Sequence, residues 1–239
     1  MVCSMFRSSP HRSIAQNPFI CPLMLQASWA EVWMEEELCF LREKALWLPK
    51  YRALLLSDLH LGKLEHFRKH GIAVPVQRSE FLLMDQLIAR WKPLQIYFLG
   101  DLFHSDQNSA DQYFKMWRKQ YEGIEMTLVQ GNHDVFSAAS YRDLELRVET
   151  EVQLGKLKLL HEAEGMPDAP TISGHIHPGV QLVGAGRQSL KYPCFYLNGC
   201  SLLMPAFGST TGLYMIKPEA ESTVFVATPK GLLRFQSER

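Results

Sequence analysis

"RALLLSDLH", residues 52–60, decides the fold. An unbroken apolar run of this kind reads as a strand buried on both faces. It then breaks into Asp58 and His60, residues that a core does not hold unpaired. The pattern returns twice. "LQIYFLGD", residues 94–101, and "EMTLVQGNHD", residues 125–134, are further buried strands that emerge into polar residues.

The segments between these strands read as helices. In "VQRSEFLLMDQLIARW", residues 76–91, Phe81, Met84, Leu87, Ile88 and Trp91 fall on one helical face, and Pro93 ends the helix. Ser109 reads as an N-cap, with Gln112 completing a capping box for a helix that runs to about Tyr121. "LCFLREKALWLP", residues 38–49, reads as two short strands around a turn at Glu43 and Lys44.

After residue 155 the chain is mostly short strands: "KLKLLHE", "TISGHIHP", "PCFYLNG", "GLYMIKP", "STVFVAT" and "GLLRF". "TPKG", residues 228–231, is a hairpin turn between the last two. The order is β-α-β-α-β and then β. Two sheets packed face to face, with helices outside, would bury it. No linker divides the chain.

Composition sets the frame. Of 239 residues, 46% are hydrophobic and 21% charged, as in an ordinary globular domain. The formal net charge is zero, so no overall attraction to nucleic acid or to a membrane surface exists, although a local basic cleft stays open. Five cysteines without a CxxC pair suggest neither a disulfide framework nor a zinc knuckle, and fit a reducing, cytoplasmic compartment. No apolar run approaches the ~20 residues of a spanning helix. Residues 1–30, rich in serine and without an acid, are expected to be a poorly ordered or mis-annotated extension, followed by one domain over 31–239.

The strand ends carry the chemistry: Asp58 and His60, Asp101 and nearby His104, Asn132, His133 and Asp134, His161, His175 and His177, and, more weakly, Asn198. Strand ends commonly converge on one edge in layered α/β folds. In an extended chain residues i and i+2 point the same way, so Asp58 with His60, and His175 with His177, can each aim two ligands into one cleft. Carboxylate, imidazole and amide oxygen suit manganese, iron or zinc. The ligands are too many for one ion. Asp101, alone at its strand end, could bridge two ions ~4 Å apart. Gly100 and Gly131 let the backbone pass close to such ions.

"DLH" at 58, "GDLFH" at 100, "GNHD" at 131, His161 and "GHIH" at 174 together resemble the calcineurin-like binuclear metallophosphoesterases. Each block is weak alone; five in order are specific. The resemblance implies a four-layer αββα sandwich of two mixed β-sheets flanked by helices. It implies Asp58, His60 and His177 as ligands of one metal, Asn132, His161 and His175 as ligands of the other, and Asp101 as the bridge. His133 matches the position that contacts the phosphate and helps the leaving group. "DLHLGKLEHFRKHGIAVP", from residue 58, and "GRQSLKYPCFYLNGCSLLMPAFGSTTG", from residue 186, are similar to the ligase-associated DNA-damage-response endonucleases of the PdeM group. "GDLFHS" is shared with SbcD-type nucleases. This narrower resemblance implies a phosphodiesterase that cuts single-stranded DNA in DNA repair with two divalent ions, Mn2+ foremost and Fe or Zn as alternatives. It also implies association with a DNA ligase, a helicase and an exonuclease-like protein.

The expected chemistry is in-line attack on phosphorus by a hydroxide shared between the ions, which lower the pKa of water from ~16 toward ~7. Catalytic candidates are His133, Asp134, as its orienter or as a turn residue, and His104, which touches substrate or supports Asp101. Lys63, Asn132 and His133 are candidate substrate contacts. Arg68, Lys69 and His70 form either a basic rim or a solvated helix face. Tyr113 and Trp117 either stack bases or pack. "MPAFGSTTG", residues 204–212, either lines the cleft or is a turn. Competing readings are a phosphatase, a nucleotide or lipid-linked nucleotide diesterase, and a non-catalytic scaffold. The complete ligand set argues against the scaffold.

Overall fold

The computed structural model describes residues 27–63, 79–104, 109–183 and 188–237, and of Ser79 and Ser109 the backbone alone. A first sheet holds seven strands in sequence order: β1 (Ser28–Trp33), β2 (Glu36–Leu41), β3 (Leu46–Leu48), β4 (Ala53–Ser57), β5 (Gln95–Leu99), β6 (Glu125–Val129) and β7 (Arg147–Glu149). β1 to β4 pair antiparallel, whereas β4 to β7 are parallel. Parallel neighbours need crossovers, and helices supply them: α1 (Ser79–Trp91), α2 (Ser109–Arg118) and α3 (Ala138–Asp143).

The second sheet contains β8 (Val152–Leu154), β9 (Leu157–Leu160), β10 (Thr171–Ser173), β11 (Pro178–Val183), β12 (Ser189–Asn198), β13 (Ser201–Leu203), β14 (Tyr214–Met215), β15 (Thr223–Thr228) and β16 (Gly231–Gln236). Its order is β14-β11-β12-β13-β10-β9-β8, and β15 pairs with both β12 and β16. β10 runs parallel to β9 and to β13.

Alternation along the parallel strands explains the two-sided burial. Ala53, Leu55, Tyr97, Leu99 and Val129 face the second sheet, where they meet Leu157, Leu159, Ile172, Phe195, Leu202 and Phe225. Leu54, Leu56, Ile96, Phe98, Met126 and Leu128 face the helices, where they meet Met84, Leu87, Ile88, Phe114, Trp117 and Tyr141. Each buried leucine contributes roughly 1.5–3 kcal/mol. Phe40 ties the sheets together, stacked on Phe225 at 4.0 Å and edge-on to Phe195 at 5.1 Å. The outer face of the second sheet carries a smaller cluster of strand residues, Val180, Cys194, Val224, Val226 and Leu233.

The α/β sandwich of two mixed sheets is therefore as the sequence pattern implied. The five apolar residues of the 76–91 stripe line the core from α1. Trp117 packs, buried, with its indole N–H on Asp85 Oδ1 at 2.7 Å, which settles its reading in favour of packing. β1 opens at Ser28, ahead of the expected domain start at residue 31. Arg68, Lys69 and His70, and the Ser109 half of the capping box, lie outside the described residues. No helix among the described residues is long and apolar enough to cross a membrane.

Candidate metal centre

β4, β5 and β6 are parallel and in register, so Ser57, Leu99 and Val129 end at one edge of the first sheet. β9 and β10 are parallel too, and place His161 and His175 beyond their carboxyl ends. Hydrogen bonds join the two edges: the His175 N–H donates to the Asp58 carboxylate at 3.0 Å. Asn198 goes elsewhere. It pairs with Ser201, and Ser201 with Thr171, which sets it at the opposite end of β10 from His175.

The turns beyond the strands are not extended. Asp58, His60, Asp101, His175 and His177 all have φ between 47° and 67°, the left-handed region. This corrects the i, i+2 argument, because turns rather than strand pleats aim these side chains. Pro178 opens β11 instead of closing β10. Left-handed backbone costs roughly 1–3 kcal/mol for each such residue, so neighbouring backbone must hold it. Asp58 N–H donates to Gly100 O at 3.2 Å and His60 N–H to Asp101 O at 2.9 Å. Gly100 and Gly174 make room for protein as well: a Cβ at Gly100 would overlap the His161 ring, and one at Gly174 the Ser57 hydroxyl.

Two groups result. Asp58, His60 and His177 offer ligand atoms within 4.8 Å of one another, and so do Asp101, His161 and His175. His177 Nε2 stands 3.3 Å from Asp58 Oδ1. His161 Nε2 stands 3.6 Å from Asp101 Oδ1 and 3.1 Å from His175 Nδ1. His161 Nδ1 lies 3.0 Å from Leu99 O, which assigns its proton to Nδ1 and leaves the Nε2 lone pair facing the group. His175 and His177, two apart in sequence, thus fall in different groups.

Electrostatics favour ion binding. Burial pulls the His60 imidazole down to about 4 against the opposing charges of Asp101 and Asp58, so the ring is neutral, the form a metal needs. Burial pushes Asp58 up, but His177 and Ser57 outweigh it and hold the carboxyl below its usual range. One carboxylate and two imidazoles per group suit a borderline divalent ion such as manganese, iron or zinc.

The remaining candidates divide. His133 is exposed; its N–H donates to Asp101 Oδ1 at 2.9 Å, and its ring lies 5.6 Å from that of His60. His104 stacks beside His133 at 6.2 Å and edge-on to His60 at 5.8 Å. Asn132 is exposed on the same turn as His133. Lys63 donates its N–H to His60 O at 3.2 Å, and its charge is felt by His60. Asp134 is buried, and its carboxylate accepts the backbone N–H groups of Asp101, Leu102 and Gly131 at 2.7, 3.0 and 2.9 Å. It orients backbone, as the turn reading of this residue expects. Burial raises its pKa. Glu162, missed in the sequence, faces His175 Nε2 from 3.5 Å; its signal was adjacency to His161.

Fold and paired Asp/His groups together define a metal-dependent phosphoesterase. The family model for calcineurin-like phosphoesterases matches residues 51–198, and the chain belongs to that family. Among solved structures it is similar to the nuclease MPE of Pseudomonas putida, at 27% identity and a TM-score of 0.73, over 87% of this chain and 100% of that one. It also matches YfcE, a phosphoesterase from E. coli, at 13% identity and a TM-score of 0.40, over 77% of this chain and 98% of that one. The second likeness is too remote to carry an argument. A comparison with curated proteins finds no match.

Proposed function

We propose that the protein is a two-metal phosphodiesterase that cuts single-stranded DNA internally, in DNA repair. The observation that carries the two-metal reading is the Asp101 carboxylate. Its Oδ2 stands 3.7 Å from His60 Nε2 and its Oδ1 3.6 Å from His161 Nε2, so one side chain faces both groups. Asp58, His60 and His177 would hold one ion, and His161, His175 and Asn132 the other, with Asp101 between them. Mn2+ is the leading ion, with Fe or Zn as alternatives. The nuclease reading is supported by the likeness to the P. putida nuclease over that protein's whole length.

Bound dications would neutralise the diester's charge and acidify water. The chain's own residues do the rest. Asp58, Asp101, His60 and His161 are buried, whereas His133 is exposed, so the site opens to solvent on the His133 side. Asp101 Oδ1 holds the His133 N–H and thereby fixes the turn from which the imidazole projects. From there His133 donates to a phosphoryl oxygen or to the departing oxygen. His104 stands behind His133. Lys63 supplies a cation for a flanking phosphate. The same reading takes in association with a DNA ligase, a helicase and an exonuclease-like protein in the cytoplasm.

The test is Mn2+-dependent opening of circular single-stranded DNA by the full chain. Wild type opens the circles and Asp101→Ala does not. Hydrolysis of simple diesters with all DNA left intact would overturn the nuclease reading. If simple diesters also survive, the enzyme reading falls with it.

A further inference from the structure

The loop at 204–212 crosses directly over the backbone of the first group. Phe207 N–H donates to Ser57 O at 2.7 Å and Gly208 N–H to Asp58 O at 3.2 Å. The approach is close enough that a Cβ on Gly208 would overlap Leu59 O and stand 3.0 Å from Asp58 O. Further polar groups of Phe207, Gly208 and Ser209 go to two charged side chains from distant parts of the chain. Lys44 Nζ, from the β2–β3 turn, donates to Phe207 O at 2.6 Å and Gly208 O at 3.2 Å, and lies 5.9 Å from the Phe207 ring centre. Glu80, buried in the first turn of α1, accepts on Oε1 the Ser209 N–H at 3.1 Å and the Ser209 hydroxyl at 2.5 Å.

Three consecutive residues are thus held between a cation and an anion. Carbonyls face the ammonium, while an amide N–H and a hydroxyl face the carboxylate. Placing these charges out of water is unfavourable: burial draws Lys44 down to about 8, although Glu80 opposes that shift. A turn that needed only closure could use neutral partners or solvent. What this arrangement secures lies on the loop's other side, the left-handed Asp58, from which the first group departs.

We propose that Lys44 and Glu80 are positioning residues for the first metal group: they grip Phe207–Ser209 from two sides and press that backbone onto Ser57 and Asp58. The proposal rests on reading Asp58, His60 and His177 as the residues that hold an ion.

Lys44→Met, Glu80→Gln and Ser209→Ala test it in the full chain. In metal-free protein, amide deuterium exchange at residues 58–61 accelerates about tenfold or more, while β15 and β16 exchange as in wild type. Mn2+ calorimetry shows one of two sites weakened by roughly 10–100-fold and the other retained. Saturating Mn2+ restores turnover, which a general loss of structure would not allow. Folded variants with wild-type exchange at 58–61 overturn the proposal. If Lys44→Met does not fold, Ser209→Ala, which removes one hydroxyl, decides by the same exchange readout. A wild type that binds no ion sinks the metal reading instead, and the exchange data still decide whether the grip exists.

Discussion

The carboxylate of Asp134 accepts the backbone N–H of Asp101 at 2.7 Å, so the residue that faces both metal groups is itself held by a second acid beneath it. The same oxygen of Asp134 takes the Gly131 N–H, and the other takes that of Leu102. Asp134→Asn cannot be accommodated by an amide flip, because either orientation sets an NH2 against an N–H donor. The variant is expected to lose about 1–3 kcal/mol of stability, read by chemical denaturation. Unchanged stability would show that the bonds lost with the replaced oxygen contribute nothing.

His133→Ala should behave oppositely. The ring is exposed and its backbone, rather than its side chain, makes the bond to Asp101. Turnover of bis(p-nitrophenyl) phosphate is expected to fall about 100-fold or more with the melting temperature unchanged. A variant of wild-type rate removes His133 from the mechanism.

Asp101 and His177 separate the two sites. Asp101 faces His60 and His161, one from each group, whereas His177 stands against Asp58 and His60 of its own group. Asp101→Ala is expected to weaken both Mn2+ sites and His177→Ala one of them, measured as calorimetric stoichiometry. Equal losses from the two substitutions would contradict the division.

Lys44 makes stability depend on pH with a definite sign. Its folded pKa, about 8, lies below the ordinary 10.5. Between these values the unfolded chain holds the proton and the folded chain does not, so stability rises with pH across that window. Relative to Lys44→Met, wild type should gain up to roughly 3 kcal/mol from pH 8 to 10.5. Glu80, the facing anion, limits the gain. Parallel curves for the two proteins would refute the shift.

Lys63→Ala tests the phosphate contact. The salt dependence of single-stranded DNA binding should become shallower by about one charge, with simple-diester turnover little changed. An unaltered salt slope would assign Lys63 to the solvated surface.

Much of this was legible in the sequence because strands buried on both faces leave a strong signal. "RALLLSDLH" shows both the apolar run and the residues that leave the core. The resemblance carried by the motif blocks implied a division of ligands, and the structure sets Asp58 with His60 and His177, and Asp101 with His161 and His175. The left-handed turns were not legible, since nothing in Asp58 or His60 as residue types announces a positive φ. Nor was the engagement of Asp134 with three backbone groups, because two of those bonds join segments some thirty residues apart. β11 was hidden by Pro178, which reads as a stop although it starts a strand beside β14. Lys44 and Glu80 looked like ordinary turn and helix charges. Their use depends on a loop more than a hundred residues away.

Each candidate group draws on both halves of the sandwich. Asp58 and His60 follow a strand of the first sheet and His177 comes from the second; Asp101 belongs to the first, His161 and His175 to the second. An ion in either group would therefore rivet one sheet to the other. By mass action, free ion at 100 times its dissociation constant adds about 2.7 kcal/mol to folding. Were ions bound there, metal supply would bear on how long the protein survives, because each ion would add a fastening between sheets that otherwise hold together by their apolar faces.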